Sequence, residues 1–386
     1  MPTPPPLPTV LAQAQQHEGT PAVAVQEYKE LYARCQSGAA SELVAAKDDC
    51  GTVAFRLGQS LERAENYSEA AQVFLSLGTL SHDRKKIARA KVRAALLQAE
   101  HLGDPADALR LCRQVIAEAP AEIAAEDALR LLVRLRTDQV EPRDDRAAAA
   151  EPSLQSAAGA PPNSRAAAPT GSAAGAPPSR RAAEPERGAA GELATELDQL
   201  AESLRPHETI ASFAWFYGAQ AAERRGQPAE AVRRYDEIWR RYPRGPLFDD
   251  SLVAAAQLLR RSGRSAEAAE RLAALSKAYT SSLMIGHYHQ ERLIEGMFML
   301  GEVYLRDLGR PQQAIETLML LLTRQPDSRL GDDALLLMAQ AALQLAPPSP
   351  AHRGQACGYL ARLLRDYPDS NQRRKAQALK QQQSCP

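Results

Sequence analysis

Apolar residues recur at helical spacing along most of the chain, most clearly in the segment 215–243, WFYGAQAAERRGQPAEAVRRYDEIWRRYP. In its first part, Trp215 and three small residues fall on one face at positions i, i+3, i+4 and i+7. Gly226 ends this run, and Pro228 opens the next, where a missing N–H costs a helix nothing. The second run also has an apolar stripe, and Pro243 stops it. The segment therefore predicts two amphipathic helices joined by a tight turn.

The same spacing returns elsewhere in the chain. Four times an alanine is followed twelve residues later by a proline: Ala108 and Pro120, Ala231 and Pro243, Ala314 and Pro326, Ala356 and Pro368. A single helix pair cannot bury both of its faces, so repeated pairs must stack on one another. The pattern predicts an all-α fold, a helical-repeat solenoid.

These positions resemble the tetratricopeptide repeat family, a unit of about 34 residues with W–LG–Y in its first helix and A–F–A–P in its second. Trp215 matches the first aromatic position, and Ala231, Tyr235 and Pro243 match the second helix. Parts of the pattern recur at Leu57-Gly58, Ala70 and Phe74, and at Leu300-Gly301 and Tyr304. In this last unit Ala314 comes one residue late, which predicts a longer turn.

Composition divides the chain into four parts. The Pro-rich segment 1–20 is predicted to be a disordered lead-in, and 21–139 an N-terminal helical array. The segment 140–190 consists mostly of Ala, Pro, Gly, Ser and Arg, so it cannot bury enough apolar surface to offset the entropy of ordering. We expect it to be a disordered linker. The C-terminal array, 191–386, is predicted to end in a polar capping helix.

Charge and hydropathy exclude several classes of partner. The 47 basic and 47 acidic residues balance, so no overall basic field favours nucleic acid. No apolar run is long enough to predict a transmembrane segment. The first residues, MPTPPPLPTVLAQ, lack the basic and apolar regions of a signal peptide. A complete chain is thus expected in the cytoplasm, and a chain trimmed at its start fits a bacterial periplasm or cell envelope.

The five cysteines leave two alternatives open. Cys112 takes the packed aromatic position of its repeat, four residues after an alanine, and is expected to be a buried thiol. Cys35 and Cys50 flank a short segment, and Cys357 and Cys385 flank the last helix–helix turn. If both pairs form disulfides, the compartment is oxidising and Cys112 remains free. The alternative is five isolated thiols.

Motifs of catalysis and metal binding are not evident. The sequence has no phosphate-binding loop, no Gly-x-Ser-x-Gly elbow and no nucleophile with a paired base. His287, His289 and Glu291 resemble a ligand set, but His289 would point away from the other two on a helix, which favours a solvated face. We therefore predict no catalytic residues, no metal site and no cofactor.

The inner groove of the repeat array is the predicted binding surface, because first helices line it in such arrays. The candidate residues, on three successive first helices, are Gln220, Glu223, Arg224, Gln257, Arg260, Arg261, Glu302 and Arg306. Arginine is frequent among them, and its guanidinium fork suits carboxylates of an acidic peptide or a C-terminus. The alternative interpretation is that they are ordinary charged residues of an exposed helix face.

Together these features favour a non-enzymatic scaffold that binds other proteins or peptides; the oligomeric state is not fixed by the sequence. Within the repeat family, Tyr242-Pro243 and Tyr367-Pro368-Asp369-Ser370 resemble bacterial envelope members. Examples are the outer-membrane lipoprotein of the β-barrel assembly machinery and the periplasmic coordinator of the Tol–Pal system. This resemblance implies a role in assembling a cell-envelope complex. The alternatives are a cytosolic adaptor or chaperone-like regulator and, more remotely, an enzyme with an unrecognised site.

Overall fold

The computed structural model describes residues 7–17, 19–37, 50–140, 184–280 and 288–386. Within these ranges the regular secondary structure is entirely helical, with seventeen helices that pack pairwise along the chain. Each helix buries one side against its neighbours, and alanines and leucines make up most of the core. The fold is an all-α helical-repeat solenoid, as the spacing of the apolar residues predicts.

The first array contains seven described helices. They are α1 (Leu7–Gln16), α2 (Pro21–Gln36), α3 (Cys50–Arg63), α4 (Tyr67–Leu80), α5 (Arg84–Glu100), α6 (Pro105–Glu118) and α7 (Ile123–Val140). Helices α3 and α4 form one helix pair and α5 and α6 the next, each packed on the following one.

The second array contains the remaining ten. They are α8 (Glu184–Ser203), α9 (Glu208–Arg224), α10 (Pro228–Arg241), α11 (Phe248–Arg261), α12 (Ser265–Thr280), α13 (Tyr288–Glu302), α14 (Pro311–Arg324), α15 (Gly331–Leu343), α16 (Pro350–Asp366) and α17 (Arg373–Gln382). A π-helical segment, Val303–Asp307, continues α13. The polar helix α17 closes the described stack at its C-terminal end.

Tight turns between the two helices of a pair follow from glycine and proline. Gly226 adopts φ +68°, in the left-handed region, where a side chain would be strained. Pro228 then occupies the first turn of α10, where no N–H is needed. Gly309 and Pro311 repeat this arrangement before α14, with φ +60° at the glycine. The sequence therefore sets the length of these turns.

The unit around Ala314 departs from the prediction of a longer turn. Gly309 precedes Pro311 by the same spacing that separates Gly226 from Pro228, so the turn is not lengthened. The extra residue lies instead in the π-helical segment at the end of α13, where Leu308 N–H donates to the Val303 carbonyl at 3.0 Å. An i→i+5 bond accommodates one more residue than an α-helical turn. The prediction of a longer turn was wrong.

Two segments differ from the predicted domain boundaries. Residues 1–20 were expected to be a disordered lead-in, yet α1 lies within them and buries Val10, Leu11 and Ala14. Their spacing puts these apolar residues on one face, which the Pro-rich composition obscures. Helix α8 begins at Glu184, inside the predicted linker 140–190, where Ala and Glu favour a helix. The linker prediction otherwise falls on 141–183, outside the described residues.

The two arrays adjoin through charged side chains. Helix α8 packs against both α7 and α9. Arg113 of α6 donates to Glu196 of α8 at 2.7 Å, and Arg136 of α7 lies 3.5 Å from the same carboxylate. Further along, Arg234 of α10 binds Asp198 of α8 through two hydrogen bonds of 2.8 and 2.9 Å. These contacts fix α8 between the arrays.

Four of the five cysteines are joined in disulfides. Cys35 is bonded to Cys50, with the Cα atoms 5.6 Å apart, and Cys357 to Cys385, with the Cα atoms 5.5 Å apart. These distances are ordinary for disulfides. Cys112 is free and fully buried, as its place in the repeat predicts, and burial raises its pKa to about 12. The first disulfide joins α2 to α3, and the second joins α16 to the residues that follow α17, so each lies near one end of the described stack.

Candidate functional site

The inner face of the stack is formed by the first helices of successive pairs. Helix α5 lies beside both α3 and α7, and α13 beside both α11 and α15. Side chains on the side of these helices that faces away from the second helices therefore share one surface, which is where the predicted groove would lie. The predicted groove residues lie on α9, α11 and the end of α13.

The structure brings three of the predicted residues together. Arg260 of α11 lies 3.2 Å from Glu302, and Arg306 pairs with that same carboxylate. Arg260 also donates to Asp307 at 2.7 Å. Burial lowers the pKa of Arg260, but its hydrogen bonds to Asp307 and Glu302 outweigh burial and the pKa is raised. Both arginines are therefore neutralised by carboxylates of the same protein.

The other predicted residues do not join this cluster. Glu223 accepts a hydrogen bond of 2.6 Å from the buried Tyr235 hydroxyl, which serves packing within one helix pair. Arg224 reaches Thr137 of α7 at 3.5 Å, and Arg261 is exposed. Gln220 and Gln257 are both half-buried. The structure thus divides the candidate residues into one ion-pair cluster and several separate positions.

A basic pocket in the first array was missed by the sequence argument. It has a volume of about 440 Å³ and lies between α3, α5 and α7. Its charged lining consists of Arg89 and Arg93 from α5 and of Asp127, Arg130 and Arg134 from α7. The available signal was a pair of arginines four residues apart on each of two successive first helices, a spacing that places both on one face.

Neither a metal site nor a membrane span is found in the described part of the chain. No group of three or more His, Cys, Asp or Glu side chains there is placed to hold a metal ion. His287 lies outside that part, so the arrangement of His287, His289 and Glu291 is not described. None of the helices in the described ranges is both long and apolar enough to cross a membrane.

The stacked helix pairs define a class, the α-helical repeat proteins. More narrowly, the chain contains tetratricopeptide repeats: the model of that family matches residues 213–244, 295–328 and 333–370. The first match covers most of α9 and all of α10, and the other two cover most of α13 to α16. No curated protein sequence matches the chain.

Several solved structures of repeat proteins are similar. The C-terminal part of a tetratricopeptide repeat-containing protein from Cytophaga hutchinsonii is 11% identical, with 84% of this chain and 98% of that chain covered and a TM-score of 0.39. A tetratricopeptide repeat protein from Parabacteroides merdae is 14% identical, with 86% and 98% covered and a TM-score of 0.32. The tetratricopeptide-like repeats of a Podospora anserina kinesin light chain are 18% identical, with 51% and 91% covered and a TM-score of 0.34.

Proposed function

We propose that the protein is a non-enzymatic scaffold that binds other proteins along the inner groove of its repeats. The observation that supports the proposal is the set of tetratricopeptide repeats, in which first helices of neighbouring pairs, such as α11, α13 and α15, lie side by side. Stacked repeats of this kind provide extended concave surfaces for protein partners. The proposed contact positions are the predicted groove residues outside the Arg260 ion-pair cluster, which lie on α9 and α11.

Among these positions, Gln257 and Arg261 are the best placed to report a partner. Both lie on α11, between the matched repeats, and neither belongs to the Arg260 ion-pair cluster. Charged residues of that cluster, by contrast, are already satisfied by one another. A partner is therefore expected to contact residues beside the cluster and to leave the ion pairs of the cluster intact.

Site-specific photo-crosslinking in the native host tests the scaffold proposal. A photoreactive phenylalanine analogue placed at Gln257 or at Arg261 is expected to capture the same partner protein. The matched control is Glu270 on α12, whose side chain is 72% exposed and pairs only with its neighbour Arg271 among the described residues. Equal capture from Glu270 would contradict a groove-directed interaction, and so would capture of nothing from either inner position.

We further propose that the scaffold serves a complex of the bacterial cell envelope. Two disulfides in a chain with five cysteines support an oxidising compartment, because cytosolic thiols are kept reduced. The resemblance of Tyr242-Pro243 and Tyr367-Pro368-Asp369-Ser370 to envelope repeat proteins agrees with this. A cytosolic adaptor or chaperone-like regulator is the alternative.

The number of reactive thiols distinguishes the envelope proposal from the cytosolic one. Protein purified from its native host without reductant, and then denatured, is expected to show one reactive thiol, from Cys112. Before denaturation that thiol should react very slowly, because it is buried and its pKa of about 12 keeps it protonated. Five reactive thiols would exclude the envelope proposal and favour the cytosolic adaptor. The crosslinking result would remain valid in either case.

A further inference from the structure

The two helices on either side of residues 141–183 are neighbours in the stack. Helix α8 packs against α7 and against α9, and α9 also lies beside α7. Elsewhere the same three contacts join a first helix, its second helix and the next first helix, as in α11, α12 and α13. Helices α7 and α8 are therefore the first and second helix of one pair.

The connection within this pair differs from the connection in other pairs. Between α9 and α10 it consists of residues 225–227, and between α11 and α12 of residues 262–264. Between α7 and α8 it consists of residues 141–183. The two arrays thus meet inside one repeat and not at the boundary between two repeats.

Ion pairs join α8 to the second helix on either side of it. Arg234 of α10 lies 2.8 Å from Asp198, and Arg113 of α6 lies 2.7 Å from Glu196. Within the second array, α10 and α12 are joined in the same way. The contact between α6 and α8 is therefore of the kind that holds successive repeats together within an array.

The apolar core is continuous between the arrays. Leu132 of α7 and Leu197 of α8 are fully buried in one cluster that extends through both. Arg130 of α7 lies 5.5 Å from the centre of the Phe213 ring of α9 and donates to the Tyr217 hydroxyl at 3.3 Å. Repeat arrays are stabilised by such interfaces between neighbouring repeats, so this interface should hold without a covalent connection.

The disulfides do not link the two arrays. The bond between Cys35 and Cys50 lies in the first array, and the bond between Cys357 and Cys385 lies in the second. The fifth cysteine, Cys112, is buried and free. Once the chain is cut within residues 141–183, the two pieces can be held together only by non-covalent contacts.

We propose that the two arrays are binding partners of one another, and that they stay associated when the chain is cut within residues 141–183. The surface of the first array consists of α6 and α7, and the element that it recognises is α8 packed on α9. Glu196 is the central contact, because it lies 2.7 Å from Arg113 and 3.5 Å from Arg136. Cleavage of the connection would therefore leave the stack whole.

A protease site inserted after Ala160 of the full-length chain tests the proposal. The site is flanked by glycines, and complete cleavage of the folded protein is verified on a denaturing gel. At a concentration of about 1 μM we expect the cut protein to sediment as one species, with a mass close to the 41.9 kDa of the intact chain. Two separate species would overturn the proposal.

Charge reversal at Glu196 tests the contact itself. In Glu196→Arg the new side chain faces Arg113 and Arg136, and the association of the cut pieces should weaken about tenfold or more. Adding Arg113→Glu should recover part of this loss, because the pair is re-formed with its charges exchanged. The matched control is Glu202→Arg on the same helix, since Glu202 pairs with Arg241 of its own piece. It should leave the association unchanged.

Two further results would overturn the assignment of the contact. These are undiminished association in Glu196→Arg and a loss in Glu202→Arg as large as that in Glu196→Arg. Circular dichroism melts of the uncut variants check that each is folded, and recovery by Arg113→Glu distinguishes a lost contact from a lost fold. The crosslinking positions Gln257 and Arg261 both lie in the second piece, so the groove proposal can fail or succeed separately.

Discussion

Replacing Arg271 with methionine should destabilise the protein by about 3 kcal/mol, the low end of the range for breaking a buried ion pair. Arg271 of α12 and Asp236 of α10 are only 12% and 7% exposed, and two hydrogen bonds of 2.8 and 3.3 Å join them. The hydrogen bond to Asp236 also raises the pKa of Arg271. Without the arginine, Asp236 still accepts a hydrogen bond of 2.9 Å from Trp239 Nε1 and still pairs with Arg240 at 3.5 Å. These contacts limit the loss of stability.

Urea unfolding of Arg271→Met, Asp236→Leu and the double variant would measure this effect. The double variant should be more stable than either single one, because a buried pair is replaced without leaving a lone charge. Arg365→Ala is the control: its side chain is 74% exposed, and its loss should leave the free energy of unfolding almost unchanged. If Arg271→Met lowers the free energy of unfolding no more than the control does, the ion pair contributes little to stability.

Alanine at Gly58 should destabilise the protein by about 1–3 kcal/mol, the usual cost of overpacking a core. A Cβ at this position would lie 2.6 Å from the ring of Phe74, which is fully buried, so the ring or the helix would have to shift. In an exposed helix the same change is stabilising by roughly 0.5–1 kcal/mol, because alanine is the better helix former. The sign of the effect therefore depends on the close contact of α3 with α4.

Gly78 in α4 provides the matched control for that substitution. Nothing lies within 4 Å of a Cβ built there, so Gly78→Ala should leave the thermal midpoint unchanged or raise it. In thermal melts, only Gly58→Ala should lower the midpoint. A stabilised Gly58→Ala would mean that the two helices can separate at no cost, contrary to their packing.

The sequence is most informative where one residue type decides the local structure. The segment 215–243 predicts a second helix from Pro228 that stops at Pro243, and α10 runs from Pro228 to Arg241. Here the proline, the positive-φ glycine and the apolar stripe all agree. Cys112 is predictable for the same reason, because a packed position of the repeat is defined by its spacing. The all-α solenoid follows from such local signals.

The candidate site is less predictable because it depends on which charges meet across helices. Arg260 and Arg306 look available in the sequence, yet both lie against Glu302 in the folded chain. Arg89 resembles any other arginine until its ring partner, Phe55, is placed by the stacking of α3 and α5. The pairings of Arg260 with Glu302 and of Arg89 with Phe55 join residues far apart in sequence, and no local pattern encodes them. Arg306 and Glu302, by contrast, are four residues apart, a spacing that the sequence does show.

The π-helical segment after α13 also bears on how repeats of unequal length are accommodated. One additional residue is taken up inside the helix, so the following turn keeps its length and Ala314 still reaches a fully buried position. The end of a first helix can thus take up an additional residue without changing the positions of the helices that follow it. A single inserted residue at this point leaves the units that follow in phase, even though a fixed sequence period no longer describes them.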